Sequence, residues 1–238
     1  MAVLHELPVV LIIVAGAILS VIAKKLTFSG AIAAAAVGLL VFGGGGYTGF
    51  IMLVAFFLLG TLATSWKKQE KHRFKAKSDR STKRDAGQVL ANGGVPAILG
   101  LLVLWIPHHA GLLRLMMAGA LSSAIADTLS SELGMVYGRW FFNILTFRKD
   151  QKGLDGAISI SGTLIGIAGS AVIAFIYCLN FGRTFWLIVL AGTIGNLADS
   201  ILGATYERKG VIGNNTVNFL NTLIAALSVW LCHTLLRL

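Results

Sequence analysis

The chain of 238 residues is 56% hydrophobic, only 13% of it is charged, and its formal net charge is +10. A soluble domain of this length would not contain so many apolar runs near 20 residues, so the composition excludes a soluble globular protein and indicates a polytopic membrane protein. The positive charge does not indicate nucleic-acid binding, because the basic residues lie in the segments between the apolar runs.

The apolar runs predict an all-α bundle of about eight transmembrane helices, since lipid leaves the backbone polar groups no other partners. The predicted spans are 7–23, 28–45, 49–65, 88–106, 110–137, 156–180, 184–206 and 213–236. We interpret residues 1–238 as one membrane domain, with three spans in 1–65, a basic loop at 66–87 and five spans in 88–238.

Charge predicts the orientation of these spans. With the N-terminus outside, all but three of the 20 lysines and arginines fall in loops on the inner side, the exceptions being Arg114, Arg183 and Arg237. This asymmetry follows the positive-inside rule. It predicts a multi-pass protein whose polar site faces the cytoplasm, in the inner membrane if the chain is bacterial.

The loop at 66–87 has two interpretations. The first is a solvated cytoplasmic loop that also touches anionic lipid head groups. The second is that its last part, Lys83-Arg84-Asp85, brings basic side chains into a phosphate site.

Polar side chains within the spans are confined to the inward halves. This one-sidedness predicts a cavity open to the cytosol, rather than a pathway through the bilayer. An ionisable group at membrane depth costs about 2.5–3.5 kcal/mol on insertion scales, so we expect the acids to be functional. The candidates, in chain order, are Asn92, Gly93, Asp127, Glu132, Gly156, Ser159, Thr163, Asp199 and Asn218.

Helical spacing separates the acids of the fifth span. Ser123, Asp127 and Ser131 share one face, whereas Glu132 points about 140° away from Asp127 on a regular helix. Either the helix is distorted there, or Glu132 serves another partner, such as an arginine of the next loop. For Asp127 and Asp199 the structural alternative is a buried pair with a lysine or arginine.

Carboxylates and amide oxygens suit a hard divalent cation, so the pattern favours Mg²⁺ and a bound phosphate. We predict Asp127 and Asp199 as metal ligands, with Asp155 or Glu132 as a further acid. Glycines at the start of the sixth span, Gly156 among them, offer backbone N–H groups to an anion, and Lys152 adds a positive charge.

Four motifs resemble the signatures of one integral-membrane family, the domain-of-unknown-function-ninety-two family, which includes plant phytyl-phosphate kinases. A weaker similarity is to the phytol and dolichol kinases, which use CTP, through Ala126-Asp127-Thr128 and Lys152-Gly153-Leu154-Asp155-Gly156. The four motifs are Gln88-Val89-Leu90-Ala91-Asn92-Gly93-Gly94-Val95-Pro96, Ala126-Asp127-Thr128-x-x-Ser131-Glu132-Leu133-Gly134, Gly156-x-x-Ser159-x-x-Gly162-Thr163 and Asp199-Ser200-x-Leu202-Gly203-Ala204-Thr205.

The resemblance implies phosphoryl transfer from a nucleoside triphosphate, CTP by the weaker similarity, to an isoprenoid monophosphate such as phytyl or geranylgeranyl phosphate. Under this hypothesis Asp127, Asp199 and Glu132 are catalytic and Mg²⁺ is the cofactor. The expected nucleotide and phosphate contacts are Asn92, Gly93, Lys152, Gly156, Ser159, Thr163 and Asn218.

Two rival hypotheses stay open. A secondary transporter, or a lipid or ion carrier, would use the acidic motifs of spans five and seven as an internal repeat that lines a substrate route. A non-catalytic scaffold would leave the acids unexplained. The oligomeric state is also open, with a homodimer among the alternatives.

Overall fold

The computed structural model describes residues 2–71, 73–74 and 83–236, so Lys75, Lys77, Arg80 and Arg237 of the predicted charge pattern lie outside the described residues. The helices are α1 (Ala2–Ile22), α2 (Phe28–Ser65), α3 (Lys68–Lys71), α4 (Ala86–Trp105), α5 (Ala110–Tyr137), α6 (Ile160–Phe181), α7 (Phe185–Leu202) and α8 (Asn214–Leu236). In addition, the chain forms a 3-10 turn at Pro107–His109 and a π-helical turn at Gly203–Glu207.

The predicted all-α bundle is confirmed. Six helices of the described residues are long and apolar enough to cross a membrane, and Leu7–Ile22 of α1 is a shorter apolar helix. The one extended element is a pair of two-residue antiparallel strands, β1 (Phe142–Asn143) and β2 (Ala157–Ile158), in the loop between α5 and α6 of the described chain.

Helix α2 is folded in two at Gly46, so it crosses the membrane twice. Gly46 has φ 61° and ψ −155°, a conformation that glycine adopts readily. A Cβ on Gly30 would lie 2.4 Å from the Arg84 carbonyl oxygen, and one on Gly60 would lie 3.2 Å from Arg84 Nη2. These glycines would be about 45 Å apart on a straight helix, so the chain must reverse between them. The two arms of α2 raise the number of passes to eight, as predicted.

The connecting segments gather at two opposite ends of the bundle. We call the end formed by 23–27, 66–71, 73–74, 83–85, 138–159 and 208–213 the basic end, since these described segments carry many of the lysines and arginines. The turn at Gly46 and the segments 106–109 and 182–184 form the opposite end. Hydrogen bonds join the segments within each end. At the basic end, Lys25 Nζ donates to Ser65 Oγ (2.8 Å), Thr27 N donates to Arg84 O (3.0 Å) and Trp66 Nε1 donates to Tyr137 Oη (2.9 Å). At the opposite end, Arg114 Nε donates to Gly44 O (2.8 Å) and Asn180 Nδ2 donates to Thr48 Oγ1 (3.0 Å).

Helix α5 lies at the centre of the bundle and contacts α2, α4, α6, α7 and α8. Its approach to α7 depends on glycines of α7. A Cβ on Gly192 would lie 2.2 Å from Ser122 Oγ, and one on Gly195 would lie 2.1 Å from Ser123 Oγ. This close contact brings the acidic segments of the two helices side by side.

Candidate active site

A polar cavity of about 590 Å³ opens at the basic end, between α2, α4, α5, α6, α7 and α8. Its volume lies within the range of about 300–1,000 Å³ typical of small-molecule sites. Most of the residues predicted from the sequence line it, namely Asn92, Asp127, Glu132, Asp155, Gly156, Ser159, Thr163, Asp199 and Asn218. Residues from all five predicted C-terminal spans therefore meet in one space.

Two acids from different helices face each other in this cavity. Asp127 on α5 and Asp199 on α7 both line the cavity, and their carboxyl groups are close enough to interact electrostatically. Asn221 of α8 donates from Nδ2 to Asp199 Oδ1 (2.7 Å). Ser123 Oγ in turn donates to Asn221 Oδ1 (3.0 Å). This chain of hydrogen bonds fixes the Asp199 side chain opposite Asp127.

The donor atoms of the cavity suit a hard cation that also binds phosphate. No group of three His, Cys, Asp or Glu side chains among the described residues could hold a metal by itself. However, Asn92 Oδ1 and Asn218 Oδ1 are buried on the wall without a hydrogen-bond partner. Mg²⁺ is usually held by one or two carboxylates together with substrate phosphates and water. The Asp127–Asp199 pair and these amide oxygens therefore fit Mg²⁺.

Glu132 forms a buried ion pair with a lysine. Lys71 Nζ lies 2.5 Å from Glu132 Oε2, and the Lys71 side chain is 2% exposed. The same ammonium group donates to the carbonyl oxygens of Ala63 (2.7 Å) and Thr64 (3.0 Å) at the end of α2. Glu132 lines the edge of the cavity, but its partner comes from the preceding loop rather than from an arginine of the next one. This contact supports a structural role.

The start of α6 differs from the prediction. The helix begins at Ile160, and Ser159 caps it by accepting a hydrogen bond from the Gly162 N–H (3.1 Å). Gly156 lies outside the helix with φ 73°, and a Cβ there would lie 2.4 Å from Ala204 Cβ. The predicted helical start at residue 156 is thus wrong, because this glycine forms a turn that packs on the end of α7.

Gly93 and Lys152 are not brought to the wall of the polar cavity. A Cβ on Gly93 would lie 2.9 Å from Val37 Cγ1, so this glycine serves the packing of α4 on α2. Lys152 Nζ lies over the rings of Phe74 (4.7 Å) and Phe141 (5.8 Å). The positions of Gly93 and Lys152 therefore do not support the phosphate contacts predicted for them.

Arg84 is the main residue that the candidate set omitted. It lines the cavity, and its guanidinium lies 5.8 Å from the centre of the Phe56 ring. Within the described part of the chain, the guanidinium makes no hydrogen bond. The sequence indicates this position through the motif Lys83-Arg84-Asp85, whose basic side chains are predicted to enter a phosphate site. Asp85 in that motif caps α4 by accepting from the Gln88 N–H (2.9 Å).

Arg208 ties the loop between α5 and α6 to the end of α7. Its Nη2 donates to Asp150 Oδ2 (2.5 Å), and its Nε donates to the Asp155 carbonyl (2.6 Å). Burial raises the pKa of the Asp150 carboxyl, but hydrogen bonds from Arg208, the Gln151 N–H and Asn143 outweigh it and leave that pKa below its ordinary value. The loop that carries Asp155 is therefore held against the cavity by a charged contact.

Eight helical passes around a polar cavity at one end define a multi-pass integral membrane protein. The sequence profile described as Integral membrane protein DUF92 matches residues 11–226. The chain belongs to this family, as its motifs indicated.

Three relatives show how widely the family is distributed. The uncharacterized membrane protein MJ0933 of Methanocaldococcus jannaschii is 38% identical over 76% of this chain and 75% of its own. Protein VTE6, chloroplastic, of Arabidopsis thaliana is 31% identical, and the match covers 85% of this chain but only 63% of that protein. Protein PGR of the same plant is 26% identical, with 85% and 87% covered. No solved structure matches the chain.

Proposed function

We propose that the protein is a Mg²⁺-dependent kinase that transfers the γ-phosphoryl group of a nucleoside triphosphate to an isoprenoid monophosphate and forms the diphosphate. The observation that carries the proposal is the pair of facing acids, Asp127 and Asp199, in a cavity that also holds buried, unpartnered amide oxygens. The motif resemblance to a family that includes plant phytyl-phosphate kinases supports the same reaction. We propose CTP as the donor and phytyl or geranylgeranyl phosphate as the acceptor.

The chemistry needs positioning and charge neutralisation more than a base. An oxygen of the acceptor phosphate attacks the γ-phosphorus, the bond from that phosphorus to the β–γ bridging oxygen breaks, and the nucleoside diphosphate leaves. Asp127 and Asp199 would hold Mg²⁺, which when bound neutralises charge on the phosphates. The attacking oxygen already belongs to a phosphate, so no residue has to remove a proton from an alcohol.

The roles of other cavity residues follow from the charged and hydrogen-bonding groups that they carry. The Arg84 guanidinium can form paired hydrogen bonds with phosphate oxygens. Ser159 and Thr163 lie at the N-terminus of α6, where the helix dipole favours an anion. Asn92 and Asn218 present amide oxygens to the cation or to nucleotide N–H groups. The positive loops at this end support a cytoplasmic position for the cavity.

A transporter receives less support from the same structure. The polar cavity opens at the basic end, and its lining combines segments of that end with the adjoining parts of the helices. At the opposite end, the polar groups of Arg114 and Asn180 are engaged by the Gly44 carbonyl and Thr48. A route through the bilayer would need polar groups that face a path at both ends.

The test is turnover by the purified protein in nanodiscs. CTP and the other nucleoside triphosphates are supplied with Mg²⁺ and phytyl or geranylgeranyl monophosphate, and the diphosphate is measured by mass spectrometry. Asp127→Asn should lower turnover by at least about 100-fold, the scale on which one charge-stabilising group acts. Glu70→Gln is the control, because Glu70 makes only a surface pair with Lys67 (3.5 Å). Absence of diphosphate with every nucleotide, or full activity of Asp127→Asn, would overturn the proposal.

A further inference from the structure

An apolar groove of about 370 Å³ lies beside the polar cavity. It runs between α1, both arms of α2 and the first turns of α4. Aliphatic and aromatic side chains make up most of its wall. Examples from the three helices are Ile12, Leu19, Phe50, Phe57 and Val89.

The apolar groove and the polar cavity meet at shared residues. Arg84, Gln88 and Asn92 line both spaces. Of these, the Arg84 guanidinium makes no hydrogen bond to the described chain, and Asn92 Oδ1 is buried without a partner. The junction therefore offers a positive group that lies over the Phe56 ring and whose N–H donors make no hydrogen bond to the described chain, at the point where an apolar surface changes to a polar one.

We propose that the apolar groove binds the isoprenoid chain of the acceptor lipid, while Arg84 binds its phosphate at the junction. The identity of the acceptor rests on the proposed function. A single-chain lipid with a terminal phosphate matches both surfaces, since the chain needs an apolar wall and the phosphate needs a positive group. From this junction the phosphate reaches the cavity that holds Asp127 and Asp199.

Helix α1 offers a way to block the groove without disturbing the bundle. Gly16 lines the groove, and a Cβ there would meet no atom within 4 Å. A larger side chain at this position enters the space that the lipid chain would occupy. Replacing a helical glycine also favours the helix, so Gly16→Phe should fold. Val14, 46% exposed and outside the groove, gives the matched control Val14→Phe on the same helix.

The test is photo-crosslinking in nanodiscs with a geranylgeranyl monophosphate that carries a diazirine on its chain. We expect label on peptides of residues 12–20 and 50–58, reduced at least about tenfold in Gly16→Phe and unchanged in Val14→Phe. Arg84→Gln should weaken labelling by this probe, but not by the matching alcohol. Label elsewhere, equal labelling of the two phenylalanine variants, or competition by phospholipid as strong as by geranylgeranyl monophosphate would overturn the proposal.

Labelling and turnover also distinguish failure of the groove from failure of the kinase. Wild-type protein that is labelled in the groove but forms no diphosphate would overturn the kinase and leave the lipid site standing. Wild-type protein that forms diphosphate but is labelled outside the groove would overturn the groove alone.

Discussion

The Lys71–Glu132 pair gives a prediction that separates structural from catalytic acids. The pair joins α3 to α5, and both side chains are almost fully buried, at 2% and 10% exposure. Lys71 also donates to the Ala63 and Thr64 carbonyls, which are acceptors at the end of α2. One ammonium group thus neutralises a buried carboxylate and satisfies two helix-end carbonyls.

Removing either partner leaves the other charge buried and takes away this counter-charge. Lys71→Met or Glu132→Leu alone should lower the free energy of unfolding by about 3–5 kcal/mol, the usual effect of breaking a buried ion pair. The double variant removes both charges and loses the two bonds to α2, each worth about 0.5–1.5 kcal/mol. We therefore expect the double variant to lose only about 1–3 kcal/mol, less than either single variant.

The measurement is unfolding of purified protein in mixed micelles at increasing SDS, followed by circular dichroism. Lys67→Met is the control, because Lys67 forms an exposed pair worth less than about 1 kcal/mol. A Lys71→Met variant as stable as wild type would refute the reasoning, as would a double variant that loses the sum of the two single effects. The folded double variant should also retain kinase turnover. Loss of turnover in that folded variant would support the predicted catalytic role of Glu132.

Three further predictions concern packing, pH and metal. Gly195→Ala places a Cβ 2.1 Å from Ser123 Oγ and should cost about 1–3 kcal/mol in the same unfolding assay, whereas Gly111→Ala, with no atom within 4 Å, should not destabilise. Since the pKa of Asp150 is depressed in the folded protein, its contact with Arg208 stabilises the loop above the ordinary carboxyl pKa of about 3.9 and is lost as the pH falls through the folded value. The protection factors of the loop amides, obtained from hydrogen exchange after correction for the intrinsic pH dependence of the exchange rate, should therefore fall in acid in wild type and be low at all pH values in Arg208→Gln. A chelator of divalent cations should abolish turnover and Mg²⁺ should restore it; turnover that persists without Mg²⁺ would contradict the metal role.

The passes and their two-ended arrangement could be predicted from sequence because hydropathy and charge are local properties of the chain. The reversal at Gly46 could be predicted for the same reason, because the glycines at 43–46 interrupt an otherwise continuous apolar segment. The face that Asp127 shares with Ser123 and Ser131 followed from helical spacing, and the inward position of Asp199 followed from the charge pattern. These features need no knowledge of which helices touch.

Contacts between distant segments could not be predicted in this way. The Lys71 side chain lies 61 positions from Glu132 in the chain, and no periodicity links α3 to α5. The hydrogen bond from Ser123 to Asn221 spans 98 positions and depends on how α5 and α8 pack. Gly156 could not be separated from α6 by composition, because its positive φ is set by the packing of its turn on α7.

The two cavities connect the N-terminal helices to the proposed chemistry. The motifs that resemble the kinases lie on the five C-terminal spans, whereas α1 and α2 build most of the apolar groove. The family profile nevertheless extends to residue 11 and so includes these helices. A soluble nucleotide can enter the polar cavity from the basic end, but an isoprenoid chain has to stay in an apolar environment while its phosphate is presented. Under the proposed function, the N-terminal spans would hold the membrane-borne substrate, and Arg84, which follows them in the chain, would lie where the two substrates meet.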